Sequence, residues 1–498
     1  MSSVKKPESI LASFPEGRSP RPLQVEALLK IESAWTDSDV LVVDLPVASG
    51  KSLIAVTVAR WALKQKVKSR LLTPTNLLVD QYLRDFPYLH TLPAAKNFKC
   101  TNSISRDEDG NELDSHSCQK EKSLGEKVYC SGCPYILRKK QGYVKPYGVY
   151  NLYTYLANKY YRPLLLVDEA HNLLPMLRDI NAKKFWRSEY NYPASVRTYG
   201  QIYTWLVSAI RTAPPARKAK LEWFLKEITS KKTRFIVDRG MEMLRGSMED
   251  CIKLLPVDVR DGGGLLWPAK KVQKLVLMSA TINRKDVEEL GLDKRRVTFI
   301  SAGSAIPAKQ RPIYVPGTAA LPGFSMSFKD QEKNLPQLVQ FLEELLAKRP
   351  EKGLVHLTYS LAAMLKLTEL RKHPRLIWHS QGDKMQKYQE FLAAPEGTVL
   401  MASGLYEGID LPQALGRWQV LTKVPYPSLE SPAIQYMAEN DPEWYANEAV
   451  KVVVQSVGRI CRTPTDWGDS YVVDSSFTRL YDEYRELFPQ SFQEAVVV

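Results

Sequence analysis

Short apolar segments that alternate with helical patterns constrain the fold of this chain more than any other feature. Strands that are buried on both faces and separated by helices are typical of a parallel α/β sheet. Eight such segments exceed one small sheet, so we predict an α/β protein with two parallel-sheet domains. The predicted strands are Val40–Leu45, Arg70–Thr73, Leu164–Val167, Lys274–Met278, Gly353–Leu357, Thr398–Met401, Gln419–Leu421 and Ser470–Val473.

The composition of the 498 residues is ordinary for a globular protein, with 44% hydrophobic and 25% charged residues. It excludes collagen-like, coiled-coil and disordered chains. No apolar run approaches the roughly 18–20 residues of a membrane helix, and no apolar segment follows the charged N-terminus as in a secretory signal. We therefore expect a protein that is neither membrane-bound nor secreted.

The net charge of +14 is concentrated in two segments. Residues 134–163 carry a net +6 and eight tyrosines, and residues 181–250 carry a net +7 and ten aromatic residues. Basic side chains can follow phosphates while aromatic rings stack on bases, so both segments predict a path for nucleic acid. In the first segment we expect phosphate contacts from Arg138, Lys139 and Lys140, and the more exposed rings at Tyr135, Tyr143 and Tyr147.

Two intervals are too long for simple α/β crossovers, and we interpret both as insertions into the first domain. One runs from about residue 95 to 144 and contains four of the six cysteines. The other runs from about 175 to 267 and has a mostly helical pattern. The stretch Ser301–Gly323, rich in Pro, Gly and Ala, is the best candidate for a linker between the two domains.

A phosphate-binding loop follows the first predicted strand. The segment Pro46–Ser52, with Gly50-Lys51-Ser52 at its end, stands between that strand and a helical pattern, which is the context such loops require. Backbone N–H groups of the turn and of the helix N-terminus would hold the phosphates. Lys51 would reach the β- and γ-phosphates, and the Ser52 hydroxyl would ligate Mg²⁺.

Two adjacent acids end another predicted strand, in the run Asp168-Glu169-Ala170-His171. Carboxylates at the end of a buried strand are costly unless they bind a cation or take part in chemistry. Asp168 would hold Mg²⁺ through water, and Glu169 would polarise the attacking water. We expect His171 to link this site to the next strand, which ends in Ser279-Ala280-Thr281.

Two arginines, Arg459 and Arg462, stand three residues apart in the segment Gln455–Arg462. At this spacing they would share one helical face. Arginines delivered to a γ-phosphate stabilise the charge of the transition state. In the same domain, Thr358, Tyr359 and Ser360 follow a predicted strand, where hydroxyls can grip the phosphates of a nucleic acid.

Four cysteines, Cys100, Cys118, Cys130 and Cys133, are separated by 17, 11 and 2 residues. Without an export signal, such a cluster indicates a metal site rather than disulfides. Four thiolates suit a tetrahedral zinc or a [4Fe–4S] cluster, and the spacing leaves both open.

The order of these motifs along residues 21 to about 477 resembles the superfamily 2 helicases, and specifically the iron–sulfur helicases of the XPD and DinG type. Ala48 and Ser476 depart from the family pattern. The segments that carry the resemblance are Arg21–Gln24 (adenine-reading element), Val47–Ser52 (motif I), Thr73–Leu77 (motif Ia), Asp168–His171 (DEAH box), Ser279–Thr281 (motif III), Ala402–Asp410 (motif V) and Gln455–Arg462 (motif VI).

The resemblance implies two RecA-like P-loop domains and roles for individual residues. Those implied in catalysis are Glu169, Gln455, Arg459 and Arg462. Those implied in ATP binding are Arg21, Gln24, Val47, Ala48, Ser49, Gly50, Lys51, Ser52, Gly408 and Asp410, with Mg²⁺ at Ser52 and Asp168. Those implied in coupling are His171, Ser279 and Thr281. The expected DNA contacts are Thr75, Asn76, Tyr135, Arg138, Lys139, Lys140, Thr358, Tyr359 and Ser360.

The resemblance also implies a [4Fe–4S] cluster on the four cysteines, with zinc as the alternative, and a compact helical Arch in the second insertion. The implied activity is an ATP-dependent DNA helicase that moves 5′→3′ on single-stranded or forked DNA. We expect a monomer in the cytoplasm or nucleoid, or in the nucleus of a eukaryote. The expected segments are 1–95, 145–178 and 267–305 for domain 1, 96–144 for the cluster, 179–266 for the Arch and 306–498 for domain 2.

The same residues fit two other functions. One is a zinc-bearing superfamily 2 ATPase that acts on RNA, or translocates along a duplex without separating its strands. The other is a DNA-binding adaptor that does not hydrolyse ATP.

Overall fold

The computed structural model describes residues 8–46, 49–99, 132–230, 235–244, 247–260, 266–268, 270–318, 321, 323–406 and 409–497. None of the helices in these ranges combines the length and the apolar character that a membrane span requires. The strands are β1 (Val40–Asp44), β2 (Ser69–Thr73), β3 (Val149–Asn151), β4 (Leu164–Asp168), β5 (Lys183–Trp186), β6 (Phe235–Leu244), β7 (Ser247–Pro256), β8 (Lys274–Ser279), β9 (Val297–Ser301), β10 (Ile313–Tyr314), β11 (Gly353–Leu357), β12 (Leu376–Trp378), β13 (Val399–Ser403), β14 (Trp418–Leu421), β15 (Asp469–Val472) and β16 (Val496–Val497).

The first domain is a six-stranded sheet in the order β3-β2-β4-β8-β1-β9. All its pairings are parallel, and β1 aligns Val43 with Met278 of β8. Alternate residues of β1 enter the two core clusters on opposite faces, as expected for a sheet covered by helices on both sides. The helices of this domain are Pro22–Ala34, Lys51–Lys64, Asn76–Asp85, Pro134–Val144, Leu152–Asn158, Leu173–Asn181 and Arg284–Glu289.

The second domain is a seven-stranded parallel sheet in the order β12-β13-β11-β14-β15-β10-β16. Gly353 opens the central strand because the ring of Trp418 on β14 lies against it, and a Cβ there would be 2.2 Å from that ring. The helices of this domain are Leu335–Lys348, Tyr359–Leu365, Lys384–Ala393, Pro432–Asn440, Pro442–Val457, Ser476–Glu483 and Gln490–Gln493.

The insertion between β4 and β8 forms a separate small unit. It has helices Arg187–Tyr190, Tyr199–Thr212 and Pro215–Thr229, and an antiparallel sheet in the order β5-β7-β6. The expectation of a mostly helical insertion is therefore wrong for residues 235–244 and 247–256. Cys251 lies on β7 and is fully buried.

All eight predicted strands are confirmed, with ends shifted by at most two residues. The two-residue and three-residue strands escaped prediction because they are too short to carry a pattern. The predicted linker is too long, because Ile313 and Tyr314 already pair with β15 in the second sheet. The chain therefore passes from β9 of the first sheet to β10 of the second between residues 302 and 312.

Candidate active site

Three neighbouring strands of the first sheet bring the predicted nucleotide-site residues together. The order β4-β8-β1 places the phosphate loop after β1, Asp168 at the end of β4 and Ser279 at the end of β8. Because these strands are parallel, their carboxyl ends share one edge of the sheet, which is where ligands bind in open α/β folds.

The phosphate loop is fixed at Gly50, which has a φ of 80° and precedes the Lys51–Lys64 helix. This left-handed conformation favours glycine, and a Cβ there would lie 2.3 Å from Nε2 of Gln24. Gln24 donates to the Ser49 carbonyl at 3.0 Å, and its Oε1 accepts from the Arg21 N–H at 3.0 Å. The segment Arg21–Gln24 is thus bound directly to the loop. Val47 and Ala48 lie outside the described residues.

The loop also leaves polar groups available inside the site. The Ser49 hydroxyl is buried and has no hydrogen-bond partner among the described residues. Lys51 is only 7% exposed, and its ammonium lies 3.6 Å from Oε1 of Glu169. Ser52 follows in the first turn of the helix. A buried hydroxyl and a buried ammonium at a helix N-terminus fit a phosphate chain.

Asp168 is buried and accepts two hydrogen bonds. Tyr82 donates its hydroxyl to Oδ2 at 2.8 Å, and the Glu169 N–H donates to Oδ1 at 3.0 Å. Burial raises the pKa of Asp168 to about 6, and the charge of Glu169 adds to the rise. Lys51 opposes it. A cation beside Asp168 would offset the effects of burial and of the neighbouring Glu169 charge, so this position is suited to a cation.

Glu169 has a left-handed backbone with a φ of 49°. This strained conformation turns its carboxylate towards Lys51 and His171. Burial alone would raise the pKa of Glu169, but positive charges, led by Lys51 and including Arg459, hold it below its usual value. The carboxylate is therefore ionised and feels a charge from the second domain.

His171 connects three parts of the site. Its Nδ1 lies 2.8 Å from the Ser279 hydroxyl, and its Nε2 lies 2.7 Å from the Gln455 amide nitrogen. Asn172 also places its amide nitrogen 2.9 Å from Nε2. Since amide nitrogens can only donate, Nε2 accepts and the proton resides on Nδ1. Burial lowers the pKa of His171 to about 4, so the ring is neutral at pH 7.

Ser279 carries the link further along its own strand end. Its hydroxyl accepts from the Thr281 N–H at 3.1 Å. Gln455, which lies 284 residues from His171 in the chain, belongs to the second domain. The contacts thus run from the acidic strand to the neighbouring strand and across the domain boundary.

The two arginines do not share a helical face as we predicted. The Pro442–Val457 helix ends before them, with Gly458 as its C-cap, and they lie in the following turn. Arg459 is 9% exposed and donates to the carbonyls of Gln455 and Ile409 at 2.9 and 3.1 Å. Arg462 forms an ion pair with Asp410 and donates to the Gly458 carbonyl at 3.0 Å. Gly408 lies outside the described residues.

A cavity of about 390 Å³ opens beside the phosphate loop, between the two domains. Arg21 and Ser49 line one wall, and Arg462 and Pro464 line the other. This position, next to the loop and bounded by both domains, fits the base and sugar of a nucleotide. Arg21 and Arg462, two of the three arginines predicted for the ATP site, therefore face one cavity.

Two family models match the chain, one in each domain. Residues 18–194 match "Type III restriction enzyme, res subunit", and residues 342–495 match "Helicase C-terminal domain". The first match contains the phosphate loop and the acid pair, and the second contains Gln455, Arg459 and Arg462.

The curated relatives match over a short region. The regulator of telomere elongation helicase 1 homolog of Drosophila melanogaster is 28% identical over 109 residues, which is 19% of this chain and 11% of that protein. The Caenorhabditis briggsae homolog is 26% identical over 129 residues, or 22% and 13% of the two chains. The chain thus aligns with about a tenth of the length of these relatives.

Solved structures match over nearly the whole chain. An XPD helicase aligns over 94% of this chain and 98% of its own, with 15% identity and a TM-score of 0.59. Xpd4 from S. tokodaii aligns over 96% and 100%, with 14% identity and a TM-score of 0.55. At such identities the structures establish the fold, and the family models and relatives carry the assignment. The chain is a superfamily 2 helicase of the XPD/DinG type.

The predicted nucleic-acid contacts of this helicase in domain 1 have mixed surroundings. Thr75 caps the Asn76–Asp85 helix by accepting from the Leu78 N–H at 3.3 Å, and Asn76 accepts a hydrogen bond from Asn151. Lys140 is exposed and Lys139 is half-buried. Arg138 is half-buried and donates to the Thr91 carbonyl at 3.0 Å.

The expected exposure of Tyr135 is wrong. The ring is buried in the core of domain 1, where it packs edge-on against Phe98 at 5.4 Å. A ring in that position cannot stack on a base. Tyr143 is exposed as predicted, and Tyr147 is half-buried.

In domain 2 of the helicase, Thr358 caps the Tyr359–Leu365 helix, and its hydroxyl lies 3.0 Å from that of Ser360. Tyr359 is half exposed, and Lys384 lies 5.1 Å from its ring centre. Sequence reasoning missed Lys384, because only the fold brings it to this strand end.

A large groove of about 810 Å³ adjoins these residues. Thr358 lines it together with Lys423, Tyr426 and Ser476. Phe328, which is 84% exposed, stands at the same groove. The unusual exposure of a phenylalanine was not apparent from the sequence, in which Phe328 stands in an unpatterned segment.

The predicted metal site of the helicase is described only in part. Cys133 is half-buried at the start of the Pro134–Val144 helix, whereas Cys100, Cys118 and Cys130 lie outside the described residues. Among the described side chains, no group of three or more His, Cys, Asp or Glu is arranged to hold a metal ion.

Proposed function

We propose that this superfamily 2 helicase is an ATP-dependent DNA helicase that translocates 5′→3′ on single-stranded DNA and separates strands. The observation that carries the proposal is the contact between His171 and Gln455, which joins the acidic strand to the arginine-bearing turn of the other domain. A nucleotide between these groups would hold the domains together, and its hydrolysis would let them part.

The phosphates would be bound by domain 1. The buried Ser49 hydroxyl, the Lys51 ammonium and the N–H groups that open the Lys51–Lys64 helix support this role. Ser52 and Asp168 would hold Mg²⁺, which neutralises phosphate charge when bound. Arg21 and Gln24 would contact the adenine side of the nucleotide through the cavity beside the loop.

The hydrolytic step would use groups from both domains. Glu169 is ionised beside Lys51, as a residue that polarises water must be. Arg459 and Arg462 would stabilise charge on the transferred phosphoryl group. The neutral His171 contacts Ser279 in domain 1 and Gln455 in domain 2, so it would couple a change at the nucleotide site to both domains. Opening and closing of the cleft would then drive movement along DNA.

The strand would pass along the basic helix Pro134–Val144 and across the carboxyl end of the second sheet. Lys139, Lys140, Thr358, Tyr359 and Ser360 are the proposed contacts, with Thr75 and Asn76 on the first domain. Phosphates would bind to the ammonium groups and hydroxyls, which is the sequence-independent mode expected for a translocating enzyme.

We also propose that Cys100, Cys118, Cys130 and Cys133 hold a [4Fe–4S] cluster, in keeping with the family resemblance. Four thiolates would equally take zinc. Iron and sulfide analysis, with the absorption spectrum of anaerobically purified protein, distinguishes the two. Four irons per chain support the cluster, and one zinc per chain in place of iron contradicts it.

Unwinding of forked DNA tests the proposed activity. Substrates with only a 5′ tail or only a 3′ tail are incubated with the protein, with and without ATP. We expect ATP-dependent separation of the 5′-tailed substrate alone. Separation of the 3′-tailed substrate alone contradicts the polarity, and separation of RNA duplexes in preference to DNA contradicts the substrate.

The variant Lys51→Ala provides the catalytic control. Removing the buried ammonium should abolish DNA-stimulated phosphate release and unwinding while DNA binding without ATP persists. If phosphate release is unchanged in Lys51→Ala, the proposed ATP site is wrong. If the wild-type protein binds DNA and ATP but releases no phosphate, a nonhydrolysing adaptor is the better description.

A further inference from the structure

A row of polar side chains joins the two domains next to the nucleotide site. Asn447, Lys451 and Gln455 are spaced four residues apart on the Pro442–Val457 helix, so they lie on one face of it. All three are buried, with exposures of 0%, 5% and 6%. We call these three side chains the interdomain row.

Asn447 and Lys451, the first two members of the row, bind residues that follow motif III in domain 1. Asn283 donates to Oδ1 of Asn447 at 2.6 Å, and Asn447 donates to Oδ1 of Asp286 at 3.1 Å. The Lys451 ammonium lies 2.6 Å from the same Asp286 oxygen. Asp286 is therefore one point at which the second domain binds the first.

The ion pair between Lys451 and Asp286 is almost completely removed from water, with side-chain exposures of 6% and 1%. Burial by itself lowers the pKa of Lys451, but Asp286 and Glu448 raise it above its usual value, so the ammonium stays charged. A buried pair of this kind contributes little net stability, because desolvation offsets the attraction. It does demand a defined geometry, because either charge left alone would be strongly unfavourable.

The row connects this pair to the catalytic groups. Gln455, which contacts His171, is one helical turn beyond Lys451. Arg459 follows after one more turn and donates to the Gln455 carbonyl. A shift of the helix at Lys451 would therefore displace Gln455 and Arg459 relative to Glu169.

We propose that Lys451 is a positioning residue for ATP hydrolysis. Its ion pair with Asp286 fixes the Pro442–Val457 helix against domain 1, so that Gln455 and Arg459 are correctly placed at the ATP site. The proposal rests on the proposed function, because the reaction that it positions is ATP hydrolysis.

The central experiment compares Lys451→Met with Lys285→Met. Lys285 also crosses the domain boundary, to Asp441 at 2.9 Å, but at the far end of the helix. A displacement of about 1 Å can lower a rate roughly 100-fold. We expect Lys451→Met to lower DNA-stimulated kcat by about that factor, with KM for ATP changed less than about threefold, and Lys285→Met to change kcat less than about threefold. A kcat for Lys451→Met close to that of Lys285→Met overturns the proposal.

Two further variants separate positioning from folding. Lys451→Arg keeps the charge, and we expect it to restore most of the lost kcat; no restoration overturns the role of the ion pair. The double variant Asp286→Asn with Lys451→Met removes both charges of the almost fully buried pair. Glu448, which also pairs with Lys451, is 21% exposed and can be solvated, so this variant should fold even if the single variant does not. Its kcat should remain low. A kcat near that of the wild type would show that the pair serves only folding.

Hydrogen exchange makes the result independent of catalysis. Amides of residues 283–289 and 442–457 should exchange faster in Lys451→Met than in wild type, and at the wild-type rate around Asp286 in Lys285→Met. If the wild-type protein hydrolyses no ATP, the proposed function fails, while this exchange comparison still decides whether Lys451 fixes the helix. Unchanged exchange in Lys451→Met overturns the proposal.

Discussion

The two walls of the nucleotide cleft hold their functional groups in different ways. In domain 1, Asp168 and Glu169 lie at the end of β4 and Lys51 lies after β1. Both strands pair with β8, so the register of the sheet fixes the spacing of these residues. In domain 2, Arg459 and Arg462 lie in a turn after one helix. Their positions therefore depend on where that helix lies relative to domain 1.

The electrostatic settings of the two walls differ as well. On the first wall, the Lys51 ammonium lies 3.6 Å from Oε1 of Glu169. On the second wall, Arg459 donates to two backbone carbonyls, whereas Arg462 is neutralised by Asp410. The Arg462 guanidinium must leave its carboxylate partner before it can bind a nucleotide. The sheet thus sets the positions on the first wall, whereas Arg462 on the second wall can change its partner.

The largest expected effect tests Arg459. Arg459→Ala should lower DNA-stimulated kcat by about 10³-fold, because an arginine that stabilises phosphoryl-transfer charge contributes on that order. ATP binding, measured with a fluorescent analogue, should change much less. Arg479→Ala is the matched control, since Arg479 is an exposed arginine of the same domain that pairs with Glu483. Equal losses in both variants would contradict a specific role for Arg459.

The corresponding test of the first wall is Glu169→Gln. A side chain of the same size that cannot accept a proton should lower kcat by about 100-fold, as expected for loss of a general base. Lys51 and the phosphate loop remain, so ATP affinity should be kept or slightly improved by removal of a negative charge. Single-turnover hydrolysis with a separate binding measurement checks this. A loss of ATP binding as large as the loss of rate would assign Glu169 to binding.

Much of the first wall could be predicted because its signals are local. Gly50-Lys51-Ser52 between a strand and a helix, and Asp168-Glu169 at a strand end, each carry their structural context in a few consecutive residues. The contact of His171 with Ser279 follows from the adjacency of strands that end at the same edge. Tyr82 could not be found this way, because its bond to Asp168 joins residues 86 positions apart with no motif between them.

The second insertion shows why other features escaped prediction. Strands β6 and β7 carry many charged residues and lie in the insertion for which we predicted a mostly helical pattern. In the structure the charges pair across the hairpin, as Arg239 does with Asp250 and Lys253 with Glu242. Such cross-strand pairs stabilise a polar sheet. They depend on register, which a periodicity argument based on apolar residues does not detect.

A smaller effect is expected where the two walls touch. Gln455→Ala removes the hydrogen bond to His171 but leaves every charged residue of the site in place. A hydrogen bond of this kind contributes about 1 kcal/mol, so we expect kcat to fall by roughly fivefold. The ratio of DNA-stimulated to basal hydrolysis should fall with it if the contact couples the domains. The double variant with His171→Ala and Gln455→Ala should then have a kcat no lower than that of either single variant. Additive losses of kcat would contradict direct coupling.

The smallest expected effect concerns the carboxylate that holds Arg462. Asp410 is about half exposed, so its ion pair with Arg462 contributes at most about 1 kcal/mol. If the arginine must leave this partner to meet the nucleotide, Asp410→Asn should lower KM for ATP by about two- to fivefold and leave kcat nearly unchanged. If Asp410 instead contacts the nucleotide, as the family resemblance implies, KM should rise. The direction of the change in KM therefore decides whether Arg462 must break this ion pair to bind the nucleotide.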